Sequence, residues 1–274
     1  MNDFVDELKQ NNFGKALDTL YEQDTGTRNT PKASVKRKAI KAVFSTIKEK
    51  QEVLHIALKL AHIDDPAAKE IAAHLLAFAY AERPEKVSEA LRVLANDENW
   101  EVREWVAGGC GEILSNNFDT FYPEMMDWTA DESDNVRRAA ALAAMYAGKT
   151  RKEEYGEPLL NLVEQLLTDS ASYVKKNLGQ FAIGDGLLRY YPDKVIARLD
   201  KWIELEDENA RWNLAKIFST AEGMKHVRES RLIIHELLRD DRYKVKRAIQ
   251  STLNKIKKKH PELLEELDLE NAGN

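Results

Sequence analysis

Short apolar runs, such as Ala90-Leu91-Arg92-Val93-Leu94 and Leu159-Leu160-Asn161-Leu162-Val163, alternate along the chain with polar turns and with second runs rich in small residues, such as Ala139-Ala140-Ala141. In four places an Asp closes the first run and stands six residues before a basic residue: Asp97 and Arg103, Asp131 and Arg137, Asp169 and Lys175, Asp240 and Lys246. This order predicts a helix A, a short turn, then a helix B that begins near the basic residue. An Asp in that turn can accept backbone N–H groups at the start of helix B.

The unit repeats. A basic residue follows a small or β-branched apolar residue at Val35-Lys36, Ala68-Lys69, Val102-Arg103, Val136-Arg137, Val174-Lys175, Ala210-Arg211 and Val245-Lys246, at intervals of 33, 34, 34, 38, 36 and 35 residues. A period in that range marks an array of stacked helical pairs rather than one compact core. The expected fold is all-α: a right-handed α-solenoid of about seven HEAT-like helical pairs with an N-terminal helical cap. Residues 1–30 form the cap and a polar loop from Asp24 to Thr30, 31–260 the array, and 261–274 an acidic tail with a frayed end. Two longer connections, near Lys149 to Gly156 and Thr220 to Val227, read as loops at one rim.

A cation in the first turn of a helix lies on the unfavourable side of the macrodipole, by a few tenths of a kcal/mol. Its recurrence therefore needs a second cause. One is a ladder in which each basic side chain bridges to the Asp of its own or the neighbouring turn. The other is an anion held jointly by cations and helix starts. The charge is expected to be freer where the Asp is missing, at Lys36 and Arg211, whose positions six back are Thr30 and Leu205. The second basic residues Arg138, Lys176 and Arg247 are also expected to stand outside the ladder.

Composition agrees with a helical array, with 43% hydrophobic and 32% charged residues and only 12 Gly and 7 Pro, too few for a turn-rich β fold. All seven prolines are expected at helix starts, where the missing N–H costs nothing. No apolar stretch has the length of a transmembrane helix, the N-terminus is acidic rather than a signal peptide, and the single Cys110 fits a reducing compartment. The expectation is a cytoplasmic monomer. One Cys and six scattered His offer no metal pattern, and Gly108-Gly109-Cys110-Gly111 lacks the strand and Lys of a phosphate loop, so neither metal nor cofactor is expected. Small residues there suit close helix packing.

What remains is a set of aromatics and carboxylates on the B helices. Trp100 and Trp105 bracket Arg103 and Glu104, Trp212 sits beside Arg211, and Phe181 and Asp185 lie within Gly179-Gln180-Phe181-Ala182-Ile183-Gly184-Asp185-Gly186. An aromatic face next to Arg can hold an unstacked or cationic base. The same Trp residues also fit as core anchors, and Asp185 equally fits as the cap of a kinked helix end.

The segments Trp100-Glu101-Val102-Arg103-Glu104, Asp134-Asn135-Val136-Arg137-Arg138-Ala139-Ala140, Ser172-Tyr173-Val174-Lys175-Lys176-Asn177-Leu178-Gly179 and Tyr191-Pro192-Asp193-Lys194-Val195 resemble those of the bacterial alkylpurine DNA glycosylases of the AlkC and AlkD group, over roughly residues 90 to 220. The resemblance implies duplex DNA in a concave basic groove and excision of a cationic 3- or 7-alkylated purine. It places Arg138 on DNA near the lesion, Phe181 close to the position where the AlkD branch has an active-site Trp, and Glu104 and Asp185 as catalytic acids. A carboxylate that stabilises oxocarbenium charge or positions water suits this reaction, because alkylation already makes the purine a leaving group. The chain departs from the AlkD-type pattern in having Glu101 and Val102 after Trp100.

Two functions follow. In the first, an alkylation-repair protein binds DNA through Lys36, Arg103, Arg137, Arg138, Lys175, Lys176, Arg211 and Arg247, stacks the base on Trp105, Phe181 or Trp212, and uses Glu104 or Asp185. In the second, a HEAT-repeat scaffold binds a protein along the same groove. The net charge of −6 favours DNA only if cations gather on one face.

Overall fold

A computed structural model describes residues 1–23 and 30–266. The chain is an all-α helical-repeat protein of the solenoid class, and no β-strand occurs among the described residues. It divides into two compact units, Met1–Glu124 and Met125–Asn274. The polar loop expected after Asp24 lies outside the described residues as far as position 29, as does the end of the acidic tail.

In the first unit, α1 (Asn2–Lys9) and α2 (Phe13–Tyr21) pack against each other and against α3 (Ala33–Thr46). They bury Phe4, Val5, Leu8, Leu17 and Leu20. Two pairs follow, α4 (Lys50–Ala61) with α5 (Pro66–Phe78) and α6 (Pro84–Ala95) with α7 (Trp100–Asn116). The B helices α3, α5 and α7 stack in order. The approach of α7 to α5 needs glycine, because a Cβ on Gly109 would stand 2.7 Å from the carbonyl oxygen of Ala73.

After α8 (Phe118–Trp128), the second unit builds its pairs from α9 (Asp134–Gly148), α10 (Gly156–Glu164), α11 (Ser172–Asn177), a π-helical segment (Leu178–Leu187) and the single turn α12 (Leu188–Tyr190). It continues with α13 (Pro192–Ile203), α14 (Glu208–Ile217), α15 (Ala221–Lys225), α16 (Arg231–Arg239), α17 (Tyr243–Lys259) and α18 (Pro261–Glu266). The B-helix stack runs α9, π segment, α14, α17, while α10, α13 and α16 form the A side. On that side Glu164 draws Arg198, Lys201 and the Trp202 indole N–H together.

The repeat register is strict. Each of the seven basic residues is the fourth residue of its B helix, and its N–H makes the first i→i−4 bond, for example Arg103 to the Asn99 carbonyl (3.2 Å) and Lys246 to that of Arg242 (3.0 Å). The Asp does not cap helix B itself. Its Oδ1 accepts the N–H two residues on, Asp97 from Asn99, Asp131 from Ser133 and Asp169 from Ala171, each at 2.8 Å. That closes an Asx turn and presents the N-cap residue. One proline departs from expectation: Pro123 lies inside α8 rather than at its start.

Candidate functional site

Within each unit the ladder runs from one repeat to the next. Lys69 donates to Asp97 (2.8 Å), Arg137 to both oxygens of Asp169 (2.6 and 3.3 Å), and Arg211 to Asp240 (3.2 Å). Each carboxylate thus closes its own turn with Oδ1 and receives the preceding repeat's cation on Oδ2, with Asp169 Oδ1 also reached by Arg137. Arg103 and Arg137 also clasp their own turns, donating to the carbonyls of Asp97 and Asp131 at 2.6 and 2.7 Å. Hydrogen bonding to Asp97 holds the Lys69 ammonium above its ordinary pKa, and bonding to Asp169 does the same for Arg137. Lys175 uses a neutral partner, Asn209 Oδ1, at 2.9 Å.

This corrects the expectation for the two positions that lack an Asp six residues back. Lys36 is buried and ion-paired with the fully buried Glu70 of the next B helix. Burial pushes the Glu70 carboxyl up, and the hydrogen bond from Lys36 opposes that shift. Arg211 has no Asp six residues behind it but finds Asp240 ahead at 3.2 Å, with Glu206 of its own turn at 3.8 Å. The signal was present one repeat downstream, because the partner of a rung belongs to the following turn.

The second basic residues separate. Arg138 is buried, its guanidinium over the Tyr173 ring at 4.7 Å. Lys176 is exposed, and Arg247 is exposed over the Tyr243 ring at 5.6 Å.

The five tryptophans divide likewise. Trp128 and Trp202 are core anchors, whereas Trp100 is half exposed and Trp105 and Trp212 are partly buried. In the first unit Trp105 meets the edge of His74 (centroids 5.2 Å) and carries Lys36 at 5.2 Å and Arg37 at 5.7 Å from its ring centre. His74 in turn contacts Glu112 at 2.9 Å. Glu104, beside Trp105, is half-buried. In the second unit Trp212 carries Lys175 at 5.4 Å and Lys216 at 5.5 Å.

Phe181 and Asp185 lie on the π segment, so Asp185 is not a helix cap. In a helix bonded i→i+5, residues four and five apart share a face, which places Phe181 and Asp185 on one face of the segment. Phe181 is 44% exposed and Asp185 half-buried. The widening begins where Gly179 donates its N–H to Oδ1 of the fully buried Asn213 (3.2 Å). The Asn213 amide also donates to the carbonyls of Leu167 (3.1 Å) and Asn209 (3.0 Å). A Cβ on Gly179 would collide with the Asn213 backbone, and one on Gly186 with Met145 of α9. π-helical turns are rare and concentrate at functional sites. Asn213 was not singled out in the sequence, although Ala210, Asn213, Leu214 and Ile217 follow a buried helical stripe that marks it as a polar residue facing inward.

Among the described residues no group of three His, Cys, Asp or Glu could hold a metal ion, and no helix is long and apolar enough to cross a membrane. Cys110 is buried, which pushes its thiol well above its ordinary pKa.

The fold defines an all-α helical-repeat protein whose B helices begin with cations. Residues 31–182 match the model of the DNA alkylation repair enzyme family, and the chain belongs to that family. Among solved structures it is similar to AlkD2 from Streptococcus mutans, at 17% identity and a TM-score of 0.60 over 76% of this chain and 97% of that one. It is also similar to smu.31 from Streptococcus mutans UA159, at 19% identity and a TM-score of 0.57 over 75% of this chain and 95% of that one. No curated protein matches the chain in sequence.

Proposed function

We propose that the protein binds alkylated duplex DNA and releases cationic 3- or 7-alkylpurines, with Phe181 and Asp185 as the centre of the chemistry. The observation that carries this reading is the pairing of an exposed aromatic ring with a carboxylate on a π-helical segment. Of the three rings expected to stack a base, Trp105 and Trp212 already carry lysine or arginine cations, which repel a positively charged purine. Phe181 shares its face of the segment with a carboxylate, the environment such a base favours.

In the reaction the bond between C1′ and the purine nitrogen breaks. Its electron pair stays with the base and neutralises the positive charge of alkylation. The sugar becomes oxocarbenium-like, Asp185 stabilises it electrostatically, and water adds at C1′ with loss of a proton to the carboxylate or to solvent. Glu104, on α7, is the second carboxylate that the family resemblance names. Lys176 is free of the ladder and suits the DNA backbone, whereas Lys36, Lys69, Arg137 and Arg211 serve the fold.

The test is release of 7-methylguanine or 3-methyladenine from methylated DNA. Wild type should release one or both, Asp185→Asn should lose at least a hundredfold in rate while folded, and Glu104→Gln should lose less. A wild-type protein that binds duplex at low salt but releases neither base removes the excision step and leaves a DNA-binding protein.

A further inference from the structure

The last B helix carries more positive charge than any other B helix. Over Tyr243–Lys259 it holds seven basic residues, Lys244, Lys246, Arg247, Lys255, Lys257, Lys258 and Lys259, and no acidic one, in a chain of net charge −6. The three lysines at its end are accounted for by the negative pole of the helix dipole. Arg247 and Lys255 are not, since they stand in the body of the helix. With Gln250, Ser251, Asn254 and Lys258 they line an open groove of about 450 Å³. A second hollow of about 280 Å³ continues it across α14, lined by Trp212, Lys216, Tyr243, Lys244 and Arg247.

No described carboxylate pairs with Lys216, Arg247, Lys255 or Lys258; of the cations lining the two hollows, Lys244 alone is answered, by Glu208 at 2.9 Å. Burial and the nearby charge of Lys255 hold the Lys216 ammonium below its ordinary pKa, as expected of cations crowded without a counter-ion. Tyr243 is 70% exposed at the edge of this group. The apolar stripe of α17, Val245, Ala248, Ile249, Leu253 and Ile256, is buried, with α17 packed on α14 and α16. That leaves a polar, cationic face with nothing to insert into a bilayer, and the groove lies wholly outside the residues matched by the family model.

We propose that the face of α14 and α17 built from Lys216, Tyr243, Arg247, Lys255 and Lys258 binds the phosphodiester backbone of a DNA flank, with Tyr243 as a stacking platform for an unpaired base. The helix is about 25 Å long, the span of roughly seven phosphates of one strand. The amides of Gln250 and Asn254 and the hydroxyl of Ser251 supply neutral hydrogen bonds to phosphate oxygens between the cations. The proposal rests on the DNA-binding reading above and adds to it a flanking contact separate from the excision site.

The test compares wild type with the double variant Lys255→Glu/Lys258→Glu and with Tyr243→Ala, all at exposed positions, over a salt series. The probes are a short duplex centred on the lesion, a duplex about three times longer, and the short duplex with a single-stranded overhang. The double variant should bind the long duplex at least tenfold more weakly, with a salt slope lower by about two, and should release base from the short duplex as wild type does. Tyr243→Ala should keep the salt slope and lose about tenfold on the overhang probe. If wild type binds the long duplex and the double variant matches it in affinity and slope, the proposal is overturned and the excision reading stands. Failure of wild type to bind any duplex would remove both. Wild-type binding to phosphatidylcholine vesicles containing phosphatidylserine, lost in the double variant while duplex affinity is unchanged, would overturn it in favour of a membrane surface.

Discussion

A cation as the fourth residue of a helix faces four unsatisfied N–H groups, an arrangement that costs a few tenths of a kcal/mol. Arg137 recovers more than this through two charge-assisted bonds to Asp169 and two more to the carbonyls of its own turn, at 2.7 and 3.0 Å. Hydrogen bonds to charged groups contribute roughly 1.5–3 kcal/mol. Asp169→Ala removes the acceptor for Arg137 and the Asx turn together, so urea denaturation should show a loss of about 2–4 kcal/mol, the upper end including the turn. Lys176→Ala, one residue beyond a rung but exposed, should stay within about 0.5 kcal/mol of wild type. Which of the two, its own turn or the neighbouring one, a rung pairs with could not be read from spacing, because an Asp six residues back is near in sequence while the accepting Asp is near only once two repeats stack.

At the scale of the element, the π segment shows how a local irregularity is held from outside. Gly179 donates its amide to Asn213 of α14, and the glycines at 179, 184 and 186 let α9 and α14 close on the widened backbone. Asn213 touches none of the reacting atoms, so its part is positional. Asn213→Leu leaves the Gly179 amide and the Leu167 carbonyl buried without partners, at about 1–3 kcal/mol each. It should lower kcat for base release far more than it raises KM, while Asn213→Asp, which keeps the acceptor, should restore part of kcat. An equal effect on both constants, tracking stability alone, would make Asn213 merely structural. Helices and their starts were legible because small residues, Asp and the basic column recur in phase. The π register was not, since Gly179 to Gly186 reads equally as a kinked helix end until the acceptor on α14 is in place.

For the whole molecule, pH tests the ladder. Hydrogen bonds from Arg242, then from Arg211, hold the Asp240 carboxyl below its ordinary value. A depressed folded-state pKa means stability that is full above the unfolded value, about 3.9, and is lost as pH falls through the folded one. Denaturant midpoints measured from neutral pH down should therefore fall steeply below about pH 4, and Asp240→Asn should be less stable at neutral pH with a shallower acid limb. Equal acid limbs in both proteins would count against a stabilising rung at Asp240.

The period near 34 residues, the helix starts and the membership of an all-α repeat class follow from the sequence alone, because side-chain phase and turn chemistry are local and repeat in every pair. So does the presence of carboxylates and rings of the right kind. Which cations are used up in rungs, which rings are already covered by lysine or arginine, and which stretch widens into a π-helix were decided only by the tertiary structure. Each depends on atoms some thirty residues away in the chain, brought within hydrogen-bond reach by stacking.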